Sequence, residues 1–170
     1  IIMSADNGIV AKGVSSAPQS VTKTMTECFS KYVTGVGVVS KAYGNDLITY
    51  DIGNVADIDD KAVINKKLMR GTNDFSEGPA MEYETALKAI LVGIEAVKSA
   101  IDQGYKVIGT GEMGIGNTST STAIICALSG MDVAQAVGKG TGMTDDEAYK
   151  NKINLIKKGI EINNPDPKDP

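Results

Sequence analysis

The chain has 170 residues, a formal net charge of −4 and 42% hydrophobic residues, enough for one domain with a buried core. The acidic balance argues against a nucleic-acid or anionic-membrane surface, although it allows a local basic site for a substrate phosphate. No apolar run approaches the roughly 20 residues of a membrane helix, and the first residues lack the pattern of a signal peptide. We therefore expect a cytoplasmic protein with no nucleic-acid or membrane partner.

The predicted elements alternate between strands and helices. In chain order they are a strand at 1–5, helices near 20–32 and 36–43, strands at 47–53 and 62–69, a helix at 82–103, a strand at 105–111, and helices near 117–128, 131–137 and 144–162. This alternation predicts an α/β fold, a Rossmann-like parallel sheet with helices on both faces and right-handed crossovers. We expect one partial α/β domain at 1–162 and a polar tail at 163–170.

The helix predicted at 82–103 has the clearest amphipathic pattern. Gly104 follows it as a C′ glycine, and its broad apolar face contains Ala86, Ala89, Ile90, Val97 and Ile101. The last helix begins with the capping-box pattern Thr144-Asp-Asp-Glu147.

The cysteines and the missing histidines limit the metal and redox chemistry. Cys28 and Cys126 fall in predicted helices among apolar neighbours, so we expect buried thiols and no disulfide framework. The sequence has no histidine and no cysteine cluster, so the usual zinc ligands are missing. We expect neither a metal site nor a cofactor.

The segment GTGEMGIGNTSTS, residues 109–121, has the composition of an anion-binding loop. It joins the apolar strand at 105–111 to a helix, and its glycines allow close approach of a ligand to the backbone. Asn117, Thr118 and Ser119 offer N-cap oxygens, and the N–H groups of the helix start favour a phosphate. A tight turn between packed elements is the simpler alternative.

Two familiar phosphate loops fit these residues poorly. Gly109, Gly111 and Gly114 satisfy G-x-G-x-x-G, but no second strand ending in an acidic residue follows about twenty positions later. Gly111 and Gly116 have Walker A spacing, but Asn117 stands where the lysine is required. A nucleoside triphosphatase is therefore disfavoured.

Polar loops follow the other predicted strands. They are Asp6-Asn7-Gly8, Asp51 with Gly53, and Gly71-Thr72-Asn73. Each could be turn chemistry alone, but carboxyl ends of parallel strands gather at one edge, where such sheets bind ligands. We expect the functional site at that edge.

The segment GEMGIGNTS closely resembles the signature GEMGIGNTT of the nicotinate-nucleotide:dimethylbenzimidazole phosphoribosyltransferases, which activate the lower ligand of cobamides. The resemblance extends over essentially the whole chain, through SADNGI, GVSSAPQSVTKTM, ITYDIG, MRGTNDF, PAM and GKGTGMTDDE with Lys152. Family members are longer, and the resemblance implies that their second half is missing here.

The resemblance implies a pentosyltransferase that moves phosphoribose from nicotinate mononucleotide to an aromatic base, with inversion and release of nicotinate. It gives Glu112 the role of stabilising the developing positive charge or positioning the ribose. Its phosphate and ribose residues would be Gly114, Gly116, Asn117, Thr118, Gly140 and Lys152, and its base-pocket residues Ser16, Thr24, Met25 and Met113. By position alone, Lys152 would be a solvated helix lysine and Met25 a core residue.

The resemblance also implies a general base and an assembly. The family's base is a glutamate in an RLGEGTGA-like segment that the 170 residues do not contain, so we expect the chain to be inactive alone. A homodimer, or association with the missing C-terminal segment, is implied as well.

Two departures from the family pattern affect the substrate more than the reaction. Asn7 replaces a histidine of many members, and Thr24 replaces a glutamine, so another benzimidazole, a purine or a phenol is a possible acceptor. Two alternatives stay open at this point: a non-catalytic module that binds nucleotide or phosphate, and a fragment of a dinucleotide-dependent oxidoreductase.

Overall fold

The structure is a computed structural model that describes residues 1–168, so residues 169–170 of the expected tail lie outside the described residues. Two compact units are present. The sheet unit contains Ile1–Asp6, Ser20–Gly71 and Met81–Gly114, and the helical unit contains Asn7–Gln19, Thr72–Ala80 and the described residues from Ile115 onward. The expected division of the chain at residue 162 stays a prediction.

The sheet unit contains a four-stranded parallel sheet in the order β3-β2-β1-β4. Its strands are β1 (Ile2–Ala5), β2 (Thr49–Gly53), β3 (Ile64–Asn65) and β4 (Gly111–Met113). The register of β1 against β2 shifts between Ser4 and Ala5, where a Cβ on Gly53 would lie 3.2 Å from Ala5 Cβ. The glycine therefore permits the close approach that the irregular register requires.

Three helices cross over this sheet: α1 (Val21–Ser30), α2 (Gly35–Ala42) and α3 (Tyr83–Asp102). The connection through α1 and α2 leads from β1 to β2, and the one through α3 returns from β3 to β4 in the opposite direction across the sheet. Right-handed crossovers in opposite directions lie on opposite faces. The predicted α/β fold with helices on both faces is thus confirmed.

The helical unit contains a 3₁₀ helix (Gly8–Lys12) and helices α4 (Asn117–Ser129), α5 (Val133–Ala136) and α6 (Asp146–Asn163). Its core is an apolar cluster of Ile9, Val14, Phe75, Cys126, Val133, Val137 and Ile156. Inside α6, a Cβ on Gly159 would collide with the ring of Phe75, so the glycine lets the aromatic ring pack directly on the helix backbone.

The fourth strand differs from its prediction. The apolar run at 105–111 was expected to be a buried strand, but β4 contains only Gly111–Met113, and Val107 is 89% exposed. Ile2 pairs with Gly111, and the amino group of Ile1 donates a hydrogen bond to the Gly109 carbonyl at 2.9 Å. The third strand is also shorter than expected, with two residues in place of eight.

Two predicted helix caps are wrong by one or more residues. Gly116, with φ of 87°, is the N-cap residue of α4, and this cap has no side-chain hydrogen bond. The side chains of Asn117, Thr118 and Ser119 therefore do not cap the helix. In α6 the cap is Asp145, whose Oδ1 accepts hydrogen bonds from Glu147 N at 2.8 Å and Ala148 N at 3.0 Å. A carboxylate is favoured at this position because its charge also complements the helix dipole.

Cys28 and Cys126 are both free thiols, the first half-buried and the second buried. Across residues 1–168, none of the helices has the length and apolar character needed to cross a membrane.

Candidate functional site

A fully buried lysine lies in the helical unit. Lys152 of α6 has no exposed surface, and its Nζ donates hydrogen bonds to Thr118 Oγ1 at 2.9 Å and to the Gly138 carbonyl at 3.0 Å. Both acceptors are uncharged, whereas buried lysines are normally paired with a carboxylate. Burial lowers the pKa of Lys152 from its ordinary value. The interpretation of Lys152 as a solvated helix lysine is therefore wrong.

Gly140 lies directly beside this lysine. A Cβ on Gly140 would be 3.0 Å from Thr118 Oγ1 and 3.2 Å from Lys152 Nζ, and the residue has φ of 58°. An ammonium group can donate three hydrogen bonds, and two are used by Thr118 and Gly138. The glycine therefore keeps free the space next to the remaining donor.

The start of α4 adds to the same cluster, because Thr118 belongs to its first turn. The side chain of Ser119 is fully buried, and among the described residues its hydroxyl has no hydrogen-bond partner. At Gly116 a Cβ would lie 2.5 Å from Val10 Cγ2, so only glycine fits where the loop enters the helix. The first N–H groups of a helix lack partners within the helix. Together with the Lys152 ammonium, the N–H of Thr118 in this first turn can hold an anion.

Ser16 contacts the loop that contains Gly140. Its hydroxyl lies 2.8 Å from Thr141 Oγ1 and donates to the Thr141 carbonyl at 3.0 Å, and Ser15 Oγ lies 3.0 Å from Thr141 Oγ1. The helical unit therefore brings Ser16, from the group expected to line the base pocket, to the loop that adjoins Lys152.

In the sheet unit, the strand ends gather as expected. The Gly53 carbonyl accepts hydrogen bonds from Asp6 N at 3.0 Å and from Gly71 N at 2.9 Å. These contacts connect the segments that follow β1, β2 and β3. Asp6 is buried, its Oδ2 accepts from Val55 N at 2.8 Å, and among the described residues its Oδ1 has no hydrogen-bond partner.

Asp51 stabilises the loop that follows β2. Its Oδ1 accepts hydrogen bonds from Gly53 N at 3.1 Å, Asn54 N at 2.8 Å and Asn54 Nδ2 at 2.9 Å, and its Oδ2 lies 3.4 Å from Lys67 Nζ. Asn54 Nδ2 also lies 3.2 Å from Ser4 Oγ, which is 2.5 Å from Thr26 Oγ1 on α1. A buried polar network thus connects α1 to the loop after β2.

The remaining predicted residues of the sheet unit lie on α1 and β4, which pack against each other. Glu112 is exposed at the centre of β4 and pairs in register with Met3. Met113 follows it half-buried, and Gly114, which is buried, ends the unit. On α1, Thr24 is exposed and donates to the Ser20 carbonyl at 3.3 Å, whereas Met25 is half-buried.

Sequence reasoning missed several polar groups that the structure brings into these clusters. Thr141 and the Gly138 carbonyl lie at the lysine cluster. Ser119 and Asp6 were named from the sequence only as a cap residue and a loop residue, and their buried oxygens without partners among the described residues were not expected. Gly138 and Thr141 both belong to the glycine-rich segment GKGTG, which was the available signal in the sequence. Nothing in the sequence distinguishes Ser119 from the other hydroxyl residues of NTSTST.

Comparisons with known proteins show what the chain is similar to. A family model described as phosphoribosyltransferase, DBI_PRT, matches residues 1–170. A curated nicotinate-nucleotide–dimethylbenzimidazole phosphoribosyltransferase of Clostridium acetobutylicum is 49% identical over 170 residues, which is all of this chain and 48% of that protein. The one from Ruminiclostridium cellulolyticum is 48% identical with the same coverage.

A solved structure has the same fold. The crystal structure of CobT from Thermus thermophilus matches with a TM-score of 0.88 and 34% identity, over 92% of this chain and 47% of that one. The chain therefore spans about half the length of the relatives it matches. These matches argue against the oxidoreductase alternative and confirm the resemblance identified from GEMGIGNTS.

Proposed function

Since this chain belongs to the DBI_PRT family of phosphoribosyltransferases over residues 1–170, we propose that it forms the phosphate- and ribose-binding part of an enzyme of cobamide biosynthesis. The enzyme transfers phosphoribose from nicotinate mononucleotide to a benzimidazole-type base. The observation that carries this proposal is the buried Lys152, whose hydrogen-bond acceptors are uncharged and beside which Gly140 leaves space.

The phosphate of nicotinate mononucleotide supplies the negative charge that this cluster lacks. Lys152 Nζ donates its third hydrogen bond to a phosphate oxygen, and the N–H of Thr118 donates another from the first turn of α4. Gly116 and Gly140 allow the phosphate to approach the backbone. Thr118 keeps the ammonium group in place through its hydroxyl.

Glu112 acts on the sugar. As nicotinate leaves, positive charge develops at the anomeric carbon and the ring oxygen. A carboxylate on the exposed side of β4 stabilises this charged ribose ring more than the uncharged ribose ring of the bound substrate. Nicotinate leaves from a pyridinium and needs no proton. The attacking base must lose its N–H proton, for which the chemistry requires a general base.

In this proposal the aromatic base contacts Thr24, Met25 and Met113 of the sheet unit, with methionine side chains against the ring. Thr24 in place of glutamine selects among acceptor bases and does not change the reaction. The proposal includes a homodimer. It also includes a cytoplasmic location, which the two free cysteines support because thiols stay reduced there.

The test is calorimetric titration of the chain with nicotinate mononucleotide, with the dephosphorylated riboside as the comparison ligand. We expect the mononucleotide to bind and the riboside to bind at least about tenfold more weakly, because it lacks the charged group that Lys152 meets. Equal affinities for the two ligands would contradict the phosphate assignment.

A matched pair of glycine variants locates the site. Gly140 and Gly142 both have positive φ, of 58° and 84°, so alanine strains both backbones similarly. Only at Gly140 would the added Cβ meet Thr118 and Lys152; at Gly142 it would meet nothing within 4 Å. We expect Gly140→Ala to weaken mononucleotide binding and Gly142→Ala to leave it near the wild-type value.

A further inference from the structure

The loop between α5 and α6 contains the segment GKGTG, residues 138–142, and lies against the buried Lys152. The Gly138 carbonyl accepts a hydrogen bond from Lys152 Nζ at 3.0 Å, and a Cβ on Gly140 would lie 3.2 Å from the same nitrogen. We call residues 138–142 the lysine loop. The path of this loop decides how much space stays next to the Lys152 ammonium group.

The ends of the lysine loop are fixed in the protein interior, whereas its middle contains two glycines. Val137 before the loop and Met143 after it are both buried, and burial of their side chains holds the two ends. Between them, Gly140 and Gly142 have positive φ, of 58° and 84°. Glycine has the widest choice of backbone conformations, so the backbone alone does not keep the middle of the loop over Lys152.

Thr141 connects the middle of the lysine loop to a segment that is distant in sequence. Its Oγ1 lies 2.8 Å from Ser16 Oγ and 3.0 Å from Ser15 Oγ. Its carbonyl accepts a hydrogen bond from Ser16 Oγ at 3.0 Å. The three hydroxyl residues all belong to the helical unit. The hydrogen bonds of Thr141 therefore attach the loop between its two glycines.

The hydrogen bonds among these hydroxyls have one consistent direction. A carbonyl oxygen can only accept, so the proton of Ser16 goes to the Thr141 carbonyl. Thr141 must then donate its own proton to Ser16 Oγ, and Ser15 must donate to Thr141 Oγ1. Each hydroxyl has a single proton. These hydroxyls can therefore hold the loop, but they have no proton left to donate to a bound phosphate.

The segment that carries the two serines is itself held in place. Val14 is 2% exposed and belongs to the apolar core of the helical unit. The Lys12 carbonyl accepts a hydrogen bond from Asn151 Nδ2 at 2.9 Å, and Asn151 precedes Lys152 in α6. The segment is thus attached to the helix that carries the buried lysine. A loop bound to this segment through Thr141 has a fixed position relative to the lysine amine.

We propose that Thr141 and Ser16 are positioning residues for the phosphate of nicotinate mononucleotide. Their hydroxyls hold the lysine loop where Gly140 leaves space for a phosphate oxygen beside Lys152. The proposal rests on the proposed function, because it takes the Lys152 cluster as the phosphate site. It gives Ser16 a role in phosphate binding, besides the contact with the aromatic base that the family resemblance implies.

Calorimetric titration of the chain with inorganic phosphate tests the proposal, because this probe has neither a ribose nor a base. Thr141→Val removes the hydroxyl and keeps the shape of the side chain. We expect it to weaken phosphate binding about threefold to tenfold, which corresponds to the net contribution of one hydrogen bond. Thr141→Ser keeps the hydroxyl and should bind phosphate like the wild type. Thr144→Val is the matched control, since Thr144 is exposed and lies outside the lysine loop.

Ser16→Ala distinguishes loop positioning from a contact with the base. We expect this variant to weaken the binding of inorganic phosphate by a factor similar to that of Thr141→Val. The double variant should bind about as weakly as Thr141→Val alone, because both substitutions break the same chain of hydrogen bonds. A residue that acts only on the base would leave the affinity for inorganic phosphate unchanged. That result, or fully additive losses in the double variant, would overturn the proposal.

The wild-type titration separates a failure of this proposal from a failure of the proposed function. If the wild type binds neither inorganic phosphate nor nicotinate mononucleotide, the phosphate assignment fails, and the positioning role fails with it. If the wild type and Thr141→Val bind phosphate equally well, the positioning role alone is overturned.

Amide hydrogen exchange of the lysine loop, measured without ligand, checks the physical cause. We expect residues 138–142 to exchange faster in Thr141→Val than in Thr141→Ser, because only the serine variant keeps the hydroxyl that holds the loop. The melting temperatures of the two variants should be similar, since the apolar core is unchanged. Equal exchange rates in the two variants would show that the hydroxyl does not hold the loop and would overturn the proposal.

Discussion

At the scale of single residues, Lys152 is the position where the environment expected from the sequence differs most from the environment in the structure. A lysine in an amphipathic helix is normally exposed, and nothing in the NKINL context predicts otherwise. Folding places its amine among a hydroxyl and a carbonyl, with no exposed surface. This burial disfavours the charged form, so the residue costs stability in the free protein and gains a partner when an anion binds.

The burial of Lys152 predicts a pH dependence of stability. Its folded-state pKa lies below the ordinary value of 10.5, so the unfolded chain binds more protons between these two values, and its contribution to stability rises with pH over that interval. Relative to Lys152→Met, the wild-type free energy of unfolding in urea titrations should therefore increase as the pH is raised towards the ordinary lysine pKa of 10.5. Lys158→Met, at an exposed position of the same helix, is the matched control for the substitution itself.

Glu112→Gln separates catalysis from structure. The substitution keeps the side-chain size and removes the charge. In a full-length protein that contains this chain, we expect kcat to fall by much more than substrate affinity, because the charge acts mainly in the transition state. A variant with normal kcat and a lowered melting temperature would instead make Glu112 a structural residue.

At the scale of elements, the sequence predicted the positions of the helices well but the ends of the helices and strands poorly. The helix predicted at 82–103 is observed as Tyr83–Asp102 because its apolar period and its C′ glycine agree. The strand predicted at 105–111 failed because strand pairing depends on a distant partner: β1 pairs from Gly111 onward. Composition near the start of a helix shows that a side-chain acceptor is available as a cap, but geometry decides between neighbours such as Thr144 and Asp145.

Two helix glycines should respond oppositely to alanine. At Gly93 of α3 an added Cβ meets nothing within 4 Å, so Gly93→Ala should stabilise the protein by up to about 1 kcal/mol through helix propensity. At Gly159 of α6 the Cβ would collide with Phe75, and Gly159→Ala should destabilise by about 1–3 kcal/mol. Urea denaturation of both variants checks the signs; equal effects would show that propensity alone decides.

At the scale of the whole molecule, the parallel α/β fold and the family followed from strand–helix alternation and from the GEMGIGNTS motif. The division into a sheet unit and a helical unit did not, because the helical unit is built from three separated segments. Its core joins Ile9, Phe75 and Ile156. Contacts over such separations leave no local periodicity for sequence analysis to detect.

The chain alone is expected to turn over nicotinate mononucleotide negligibly. Its 170 residues contain no RLGEGTGA-like segment, which holds the general base in the family that it resembles, and loss of general-base catalysis costs about 10²- to 10⁴-fold. Chromatographic assay for α-ribazole phosphate with the purified chain checks this. Turnover near that of a full-length relative would show that the base lies within these residues.

The buried carboxylates of Asp6 and Asp51 have a consequence for dynamics. They accept the amide hydrogens of Gly53, Asn54 and Val55, so this loop should exchange hydrogen with solvent slowly although Asn54 and Val55 lie outside any strand or helix. Ligand-binding edges are often mobile, and ordering them weakens affinity. Here the entropy of ordering the loop after β2 is lost during folding, so a ligand at this edge meets a backbone that is already fixed.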